Sequence, residues 1–192
     1  WGFDRVHIIK HADGGDYTYS QADYGAAYAA AHDGTRNSVT QAIRSVVYLR
    51  PGLMIVHDQA QTANANVRKI FNLNFSGPLT RNGAVFSMTK GASKLFMSSV
   101  LPANPNPTFG TVTEGGITSH KYQVTETGAT QSNFLHVFEA GATSVGAATP
   151  ATLVATADNL GQGVELTTGG FNRVVLFARK DREIPATSIS YA

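Results

Sequence analysis

The chain has 192 residues, no cysteine and a formal charge of +2 from 15 Lys and Arg against 13 Asp and Glu. That length carries a sizeable core in one large domain or two small ones, and the lack of cysteine excludes disulfides and thiolate metal sites. Charged residues make up only 15% of the chain, below the roughly 25% usual in soluble proteins; the basic residues are too scattered for a nucleic-acid-binding stripe, and no apolar run nears the roughly 20 residues of a spanning helix.

Residues 1–11 read as a first strand, with Phe3, Val6, Ile8 and Ile9 apolar and Asp13-Gly14-Gly15-Asp16 closing it as a turn. A second extended run starts at Tyr17-Thr18-Tyr19-Ser20. Residues 24–31, YGAAYAAA, are alanine-rich, so a helical turn competes there with an irregular edge strand. Residues 45–49 and 53–57, inside the longer runs 39–49 and 53–59, are rich in β-branched and aromatic side chains. They flank Arg50-Pro51-Gly52, the pattern of an antiparallel hairpin. Pro51 presets the first turn position, and Gly52 is expected at positive φ in a type II turn. Because that turn twists against the strands, a bulge or a slightly longer loop is expected. Both strands are apolar on both faces at their centres, so they should lie mid-sheet, covered on each side.

Residues 67–75 place Val67, Lys69, Phe71, Leu73 and Phe75 on one face, a period-two strand. Further runs follow at 84–88, 93–101, 117–125, 133–139, 152–155, 163–168 and 172–178, separated by turn clusters such as Gly115-Gly116 and Gly169-Gly170, with 103–107 as the longest loop. About a dozen short strands, with no helical periods between them and no shift in composition, predict an all-β fold. The expected form is an antiparallel β-sandwich in a single domain over residues 1–192.

The order of these segments resembles the C-terminal β-sandwich of the heparinase II/III-like polysaccharide lyases, which are related to alginate lyases. The likeness runs through GDYTYSQADYGAAY, IRSVVYLRPG and LMIVHDQAQ, then KIFNLNFSGP, GASKLFMSSVLP, SNFLHVFEAG and GFNRVVLFARK. It implies a secreted or periplasmic bacterial module. That module would work on an acidic, uronate-containing polysaccharide by β-elimination, beside a helical domain of the same parent chain that carries most of the proton chemistry. A start at Trp1, without methionine, fits a fragment of a longer protein. The family's His-x-His and His-Asn elements do not occur in this sequence, so the resemblance implies the architecture and no catalytic or metal residue. A non-catalytic module that self-associates through sheet edges, and a stand-alone carbohydrate-binding module, are the alternatives.

β-Elimination needs a group to neutralise the carboxylate, a base and an acid. The substrate-binding candidates are Tyr17, Tyr19, Arg44 and His11, against the simpler reading of strand tyrosines as packing residues. His57-Asp58 has the composition of an oriented base, but a strand end with a satisfied histidine is the plainer expectation. On a regular strand His7 and His11 share a face but lie about 13 Å apart, too far to chelate one ion. Asp13 and Asp16 fall short of a calcium loop. No cofactor is therefore assigned to this chain, a structural Ca or Zn in a longer parent being left open.

Overall fold

The computed structural model describes residues 6–29, 38–158 and 160–178. The chain divides into two compact units, Trp1–Ala148 and Thr149–Ala192. Among the described residues there are fourteen strands and one short helix. All strand pairings are antiparallel and no barrel closes, so the all-β, sandwich-like class read from the sequence is the observed one.

The first unit contains β1 (His7–Asp13), β2 (Tyr17–Asp23), α1 (Gly25–Ala29), β3 (Val39–Leu49), β4 (Leu53–Thr62), β5 (Lys69–Phe75) and β6 (Thr80–Asn82). It continues with β7 (Val85–Lys90), β8 (Ser93–Leu101), β9 (Thr108–Glu114), β10 (Ile117–Glu126) and β11 (Gln131–Ala142). Eight of these form one sheet in the order β1-β2-β3-β4-β11-β8-β7-β6, and β5-β10-β9 form a second. One face of the large sheet packs on the small one through Val56, Phe71, Phe75, Phe86, Met97, Tyr122, Val124, Phe134 and Phe138. The alternation read in residues 67–75 appears in β5, where Lys69, Phe71 and Phe75 are buried and Ile70, Asn72 and Asn74 are exposed. Burial of Lys69 is tolerated because its ammonium donates to the carbonyls of Val67 and Ala129.

The hairpin of β3 and β4 is as expected, with Leu49 opposite Leu53 and a three-residue loop between them. Its turn differs. The Arg50–Pro51 peptide is cis, and Gly52 is not at positive φ, so the reversal is made at the proline and not by a type II glycine. Burial on both faces holds at the centre of β4, where Ile55, Val56 and His57 are all buried. It fails on β3. Ile43, Ser45, Val47 and Leu49 are buried, but the opposite face has Arg44 and Val46 half-buried and Tyr48 exposed. A three-stranded sheet is narrower than the eight-stranded one beneath it. Among the described residues the β3 side of that face is half-buried beside the short helix, a shelf that holds the cleft described below.

Two strands escape the sequence pattern. β6 takes in Arg81 and Asn82 of Arg81-Asn82-Gly83, which reads in sequence as a turn cluster, and β9 follows the long loop with a threonine-rich, mostly exposed segment that has no bulky apolar face. β9 is instead held by its hairpin to β10, whose two-residue turn, Gly115-Gly116, has φ of 56° and 79°. Positive φ at both positions is what a type I′ turn requires and glycine allows.

Residues 24–31 resolve in favour of helix over Gly25–Ala29, Asp23 Oδ1 accepting from the Gly25 amide at 2.7 Å. Residues 30 and 31, and residues 1–5 of the first expected strand, lie outside the described residues. The second unit has β12 (Ala151–Ala155), β13 (Gly161–Thr168) and β14 (Phe171–Ala178) in one sheet, with Val164, Leu166 and Phe177 buried. No helix among the described residues is long and apolar enough to cross a membrane.

Candidate functional site

Five steps back from the Leu49–Leu53 pair, the β3–β4 register sets Arg44 opposite Asp58 on the shelf side of the large sheet. Directly opposed residues point to the same face, so the two side chains meet. Arg44 Nε donates to Asp58 Oδ1 at 2.7 Å and Nη2 to Oδ2 at 2.6 Å, a bidentate, charge-assisted pair. The side chains retain 35% and 17% exposure. The guanidinium also lies over the Phe71 ring, 5.6 Å from its centroid. Hydrogen bonding to Asp58 raises the Arg44 pKa above its ordinary value against the desolvation of partial burial.

Around this pair opens a cleft of about 250 Å³. Its floor includes Ala42 and Ala60, opposed in register and small enough to leave room. One wall is Tyr24 and Tyr28. The Tyr28 amide bonds back to the Tyr24 carbonyl at 3.3 Å, and this one helical turn brings both rings to the same side. The other wall is β5, an edge strand of the small sheet, which presents Ile70 and Asn72. A second, more apolar cleft of about 490 Å³ lies on the other side of Arg44, lined by Met54, Leu73, Met88 and Phe138 among others.

The other sequence candidates are not gathered here. Tyr17 and Tyr19 pair with Leu49 and Val47, on the opposite face of the sheet from Arg44. Tyr19 is half-buried, and burial raises its phenol pKa despite a hydrogen bond involving Ser45. His11 does share the face of Arg44. Its Nδ1 is 2.8 Å from Ser20 Oγ, and its register position, opposite Ser20 and two residues from the Ala22–Arg44 row, places it roughly 12 Å away by strand spacing and rise.

His7 and His11 do not share a face, contrary to the regular-strand reading. A bulge between Ile8 and Lys10 puts His7 opposite Asp23 and His11 opposite Ser20, and so turns them to opposite sides. His57-Asp58 is not an oriented base, because neighbours on a strand diverge: Asp58 faces the cleft while His57 is buried on the other side, its pKa lowered to about 4 by desolvation. Asp13 is held by the Gly15 amide at 3.0 Å and by Arg50 at 3.2 Å. Among the described residues no three His, Asp or Glu side chains converge as a metal-ligand set.

Sequence reasoning raised Asp58 only with His57, and Tyr24 and Tyr28 only among the tyrosines near the start, without setting any of them beside Arg44, and it did not raise Asn72 as a site residue. Two signals were available for them. Folding the hairpin about Pro51 sets Arg44 against Asp58, and a spacing of four within an alanine-rich segment aligns the two tyrosines if it is helical. Asn72 had no signal, because its place depends on how the small sheet sits over the large one.

No protein-family model matches the chain, and no curated protein sequence does. Solved structures do. Heparan sulfate lyase HepC from Pedobacter heparinus superposes on 93% of this chain with a TM-score of 0.65 and 13% identity, the match occupying 29% of the lyase. The heparinase III BT4657 gene product matches 91% of this chain with a TM-score of 0.63 and 11% identity, over 28% of its own length. The chain thus spans well under a third of these lyases and has the fold of one portion of them. At such identities the likeness is one of fold and assigns no residue a role.

Proposed function

We propose that this chain is the β-sandwich module of a secreted or periplasmic polysaccharide lyase that cleaves an acidic, uronate-containing polymer together with a helical domain. The observation that carries the reading is the superposition of 93% of the chain on 29% of a heparan sulfate lyase. In β-elimination a base takes the C5 proton, the C4–O bond breaks as a C4–C5 double bond forms, and an acid protonates the leaving oxygen. Among the described residues no histidine lines the Arg44 cleft to serve as the base. His57 and His136 are buried, and Asp58 is engaged by Arg44. The proton chemistry is therefore assigned to the partner domain, and the sandwich forms a wall of the substrate cleft.

The test is to express the chain alone and as the complete product of its reading frame, and to follow ultraviolet absorbance of the unsaturated product on heparan sulfate, heparin and alginate. Turnover is expected only from the complete product. Strong turnover by this chain alone would refute the dependence on a partner, and a complete product inert on every uronate polymer would sink the reading. Self-association through the outer strand β1 finds less support. Ile8 is 72% exposed there, but the bulge and the flanking His7, Lys10 and His11 interrupt the flat edge that such pairing needs.

A further inference from the structure

We infer that the Arg44 cleft is a saccharide subsite that reads ring hydroxyls and not charge, gripping one pyranose unit by two adjacent hydroxyl groups. The inference rests on the lyase reading for the origin of its ligand, but its chemistry comes from the cleft itself. An arginine beside a uronate-binding surface would ordinarily be assigned to the uronate carboxylate. The geometry here opposes that role. Asp58 already occupies two of the guanidinium N–H groups at 2.7 and 2.6 Å, so the pair has no net charge to offer. A second carboxylate entering the cleft would also meet the first.

The pair leaves donors and acceptors side by side. Arg44 has five N–H groups, and among the described residues only Nε and one on Nη2 are engaged. Each Asp58 oxygen keeps acceptor capacity beyond the single bond it receives. A sugar hydroxyl both donates and accepts. One hydroxyl can therefore donate to Asp58 while its neighbour on the ring accepts from Arg44, a complement that a lone carboxylate or sulfate does not have. The Asn72 amide, exposed on β5 and without a partner among the described residues, offers a second donor and acceptor across the cleft.

The walls fit the rest of such a ligand. The C–H face of a pyranose packs on aromatic rings, and Tyr28, 50% exposed, lines the cleft together with Tyr24. Ala42 and Ala60 keep the floor flat. A volume of about 250 Å³ is below the roughly 300 Å³ at which pockets for drug-sized ligands begin, which suits one ring and not a run of several.

The probes are methyl β-glucopyranoside and methyl β-glucopyranosiduronate, which differ only in the carboxylate at C6, titrated into the isotopically labelled chain and followed by amide chemical shifts. Both are expected to shift Arg44, Asp58, Ala60 and Asn72, with affinities within about threefold of each other and little dependence on salt, because an ion-paired site gains little from ligand charge. Asp58→Asn uncovers the guanidinium and should favour the uronide by about tenfold in a salt-dependent way. Tyr28→Ala, at an exposed position that leaves the fold intact, should weaken both probes several-fold. Binding of the uronide alone by the native chain, binding of neither, or indifference to Tyr28→Ala would each overturn the inference. None of these readouts involves product formation, so an inert lyase and an empty subsite are distinguishable results.

Discussion

The imidazole of His136 lies flat on the ring of Phe71, with 4.0 Å between centroids and 6° between planes. It joins β11 of the large sheet to β5 of the small one at the centre of the sandwich. His136 is fully buried, and neither ring nitrogen has a hydrogen-bond partner among the described residues. Such a ring packs as an apolar disc for as long as it stays neutral.

Acid is therefore expected to loosen the fold well before the carboxylates are protonated. Burial, with the nearby Arg44 charge adding to it, lowers the His136 pKa to about 3, and burial alone lowers that of His57 to about 4. A histidine whose folded pKa is depressed contributes fully above its unfolded value near 6.5 and loses that contribution as pH falls toward the folded value. Each should lose on the order of 2 kcal/mol by pH 5. Urea unfolding between pH 7 and 4.5 measures this, and His136→Phe, which keeps the stack on Phe71, should remove about half of the slope. A flat profile in the native chain would show that the histidines are hydrated.

Breaking the Arg44–Asp58 pair from either side should cost more than the pair is worth. Asp58→Ala leaves a half-buried guanidinium without its carboxylate and is expected to destabilise by about 1–2 kcal/mol, less than for a fully buried pair because Arg44 keeps about a third of its exposure. Arg44→Ala with Asp58→Ala should cost less than the sum of the single changes by about 1 kcal/mol. A double-mutant cycle in urea decides it, and strict additivity would mean that the contact contributes nothing.

Arg50 ties the β1–β2 turn to the β3–β4 loop, donating to the Gly15 carbonyl at 2.6 Å, the Thr18 hydroxyl at 3.0 Å and Asp13 at 3.2 Å. These groups are exposed, so Arg50→Ala should hardly change global stability. It should instead speed hydrogen exchange locally in residues 13–18. Unchanged exchange there would show that the clamp does not hold in solution.

Gly163→Ala should be severe. A Cβ at this position would stand 1.7 Å from the Val175 carbonyl oxygen on the neighbouring strand β14, backbone that cannot swing aside. A loss of more than about 3 kcal/mol, with β13 and β14 becoming open to protease, is the expected result. Gly146→Ala, at a site with nothing within 4 Å, is the matched control.

Much of the fold was legible, because burial on one side imprints a period of two on a strand. Phe71 and Phe75 fall on the buried face that alternation gives them, and the β3–β4 hairpin follows from its two β-branched runs. What escaped lacks that imprint. β9 is exposed along most of its length, the bulge at Ile9 leaves no mark in the run His7-Ile8-Ile9-Lys10-His11, and a cis proline reads like a trans one.

The site divides in the same way. The contact of Arg44 with Asp58 is a matter of register, and register is carried by residues adjacent in sequence and by the length of a single turn. Sequence alone therefore determined an antiparallel sandwich with a hairpin at its middle, through local pattern and nearest-neighbour pairing. That His136 is stacked away from solvent, and that the tyrosines beside the arginine are Tyr24 and Tyr28 and not Tyr17 and Tyr19, was decided by tertiary structure. Each depends on which face of one sheet a second, narrower sheet covers, and that is fixed by the packing of distant strands and written in no single stretch of the chain.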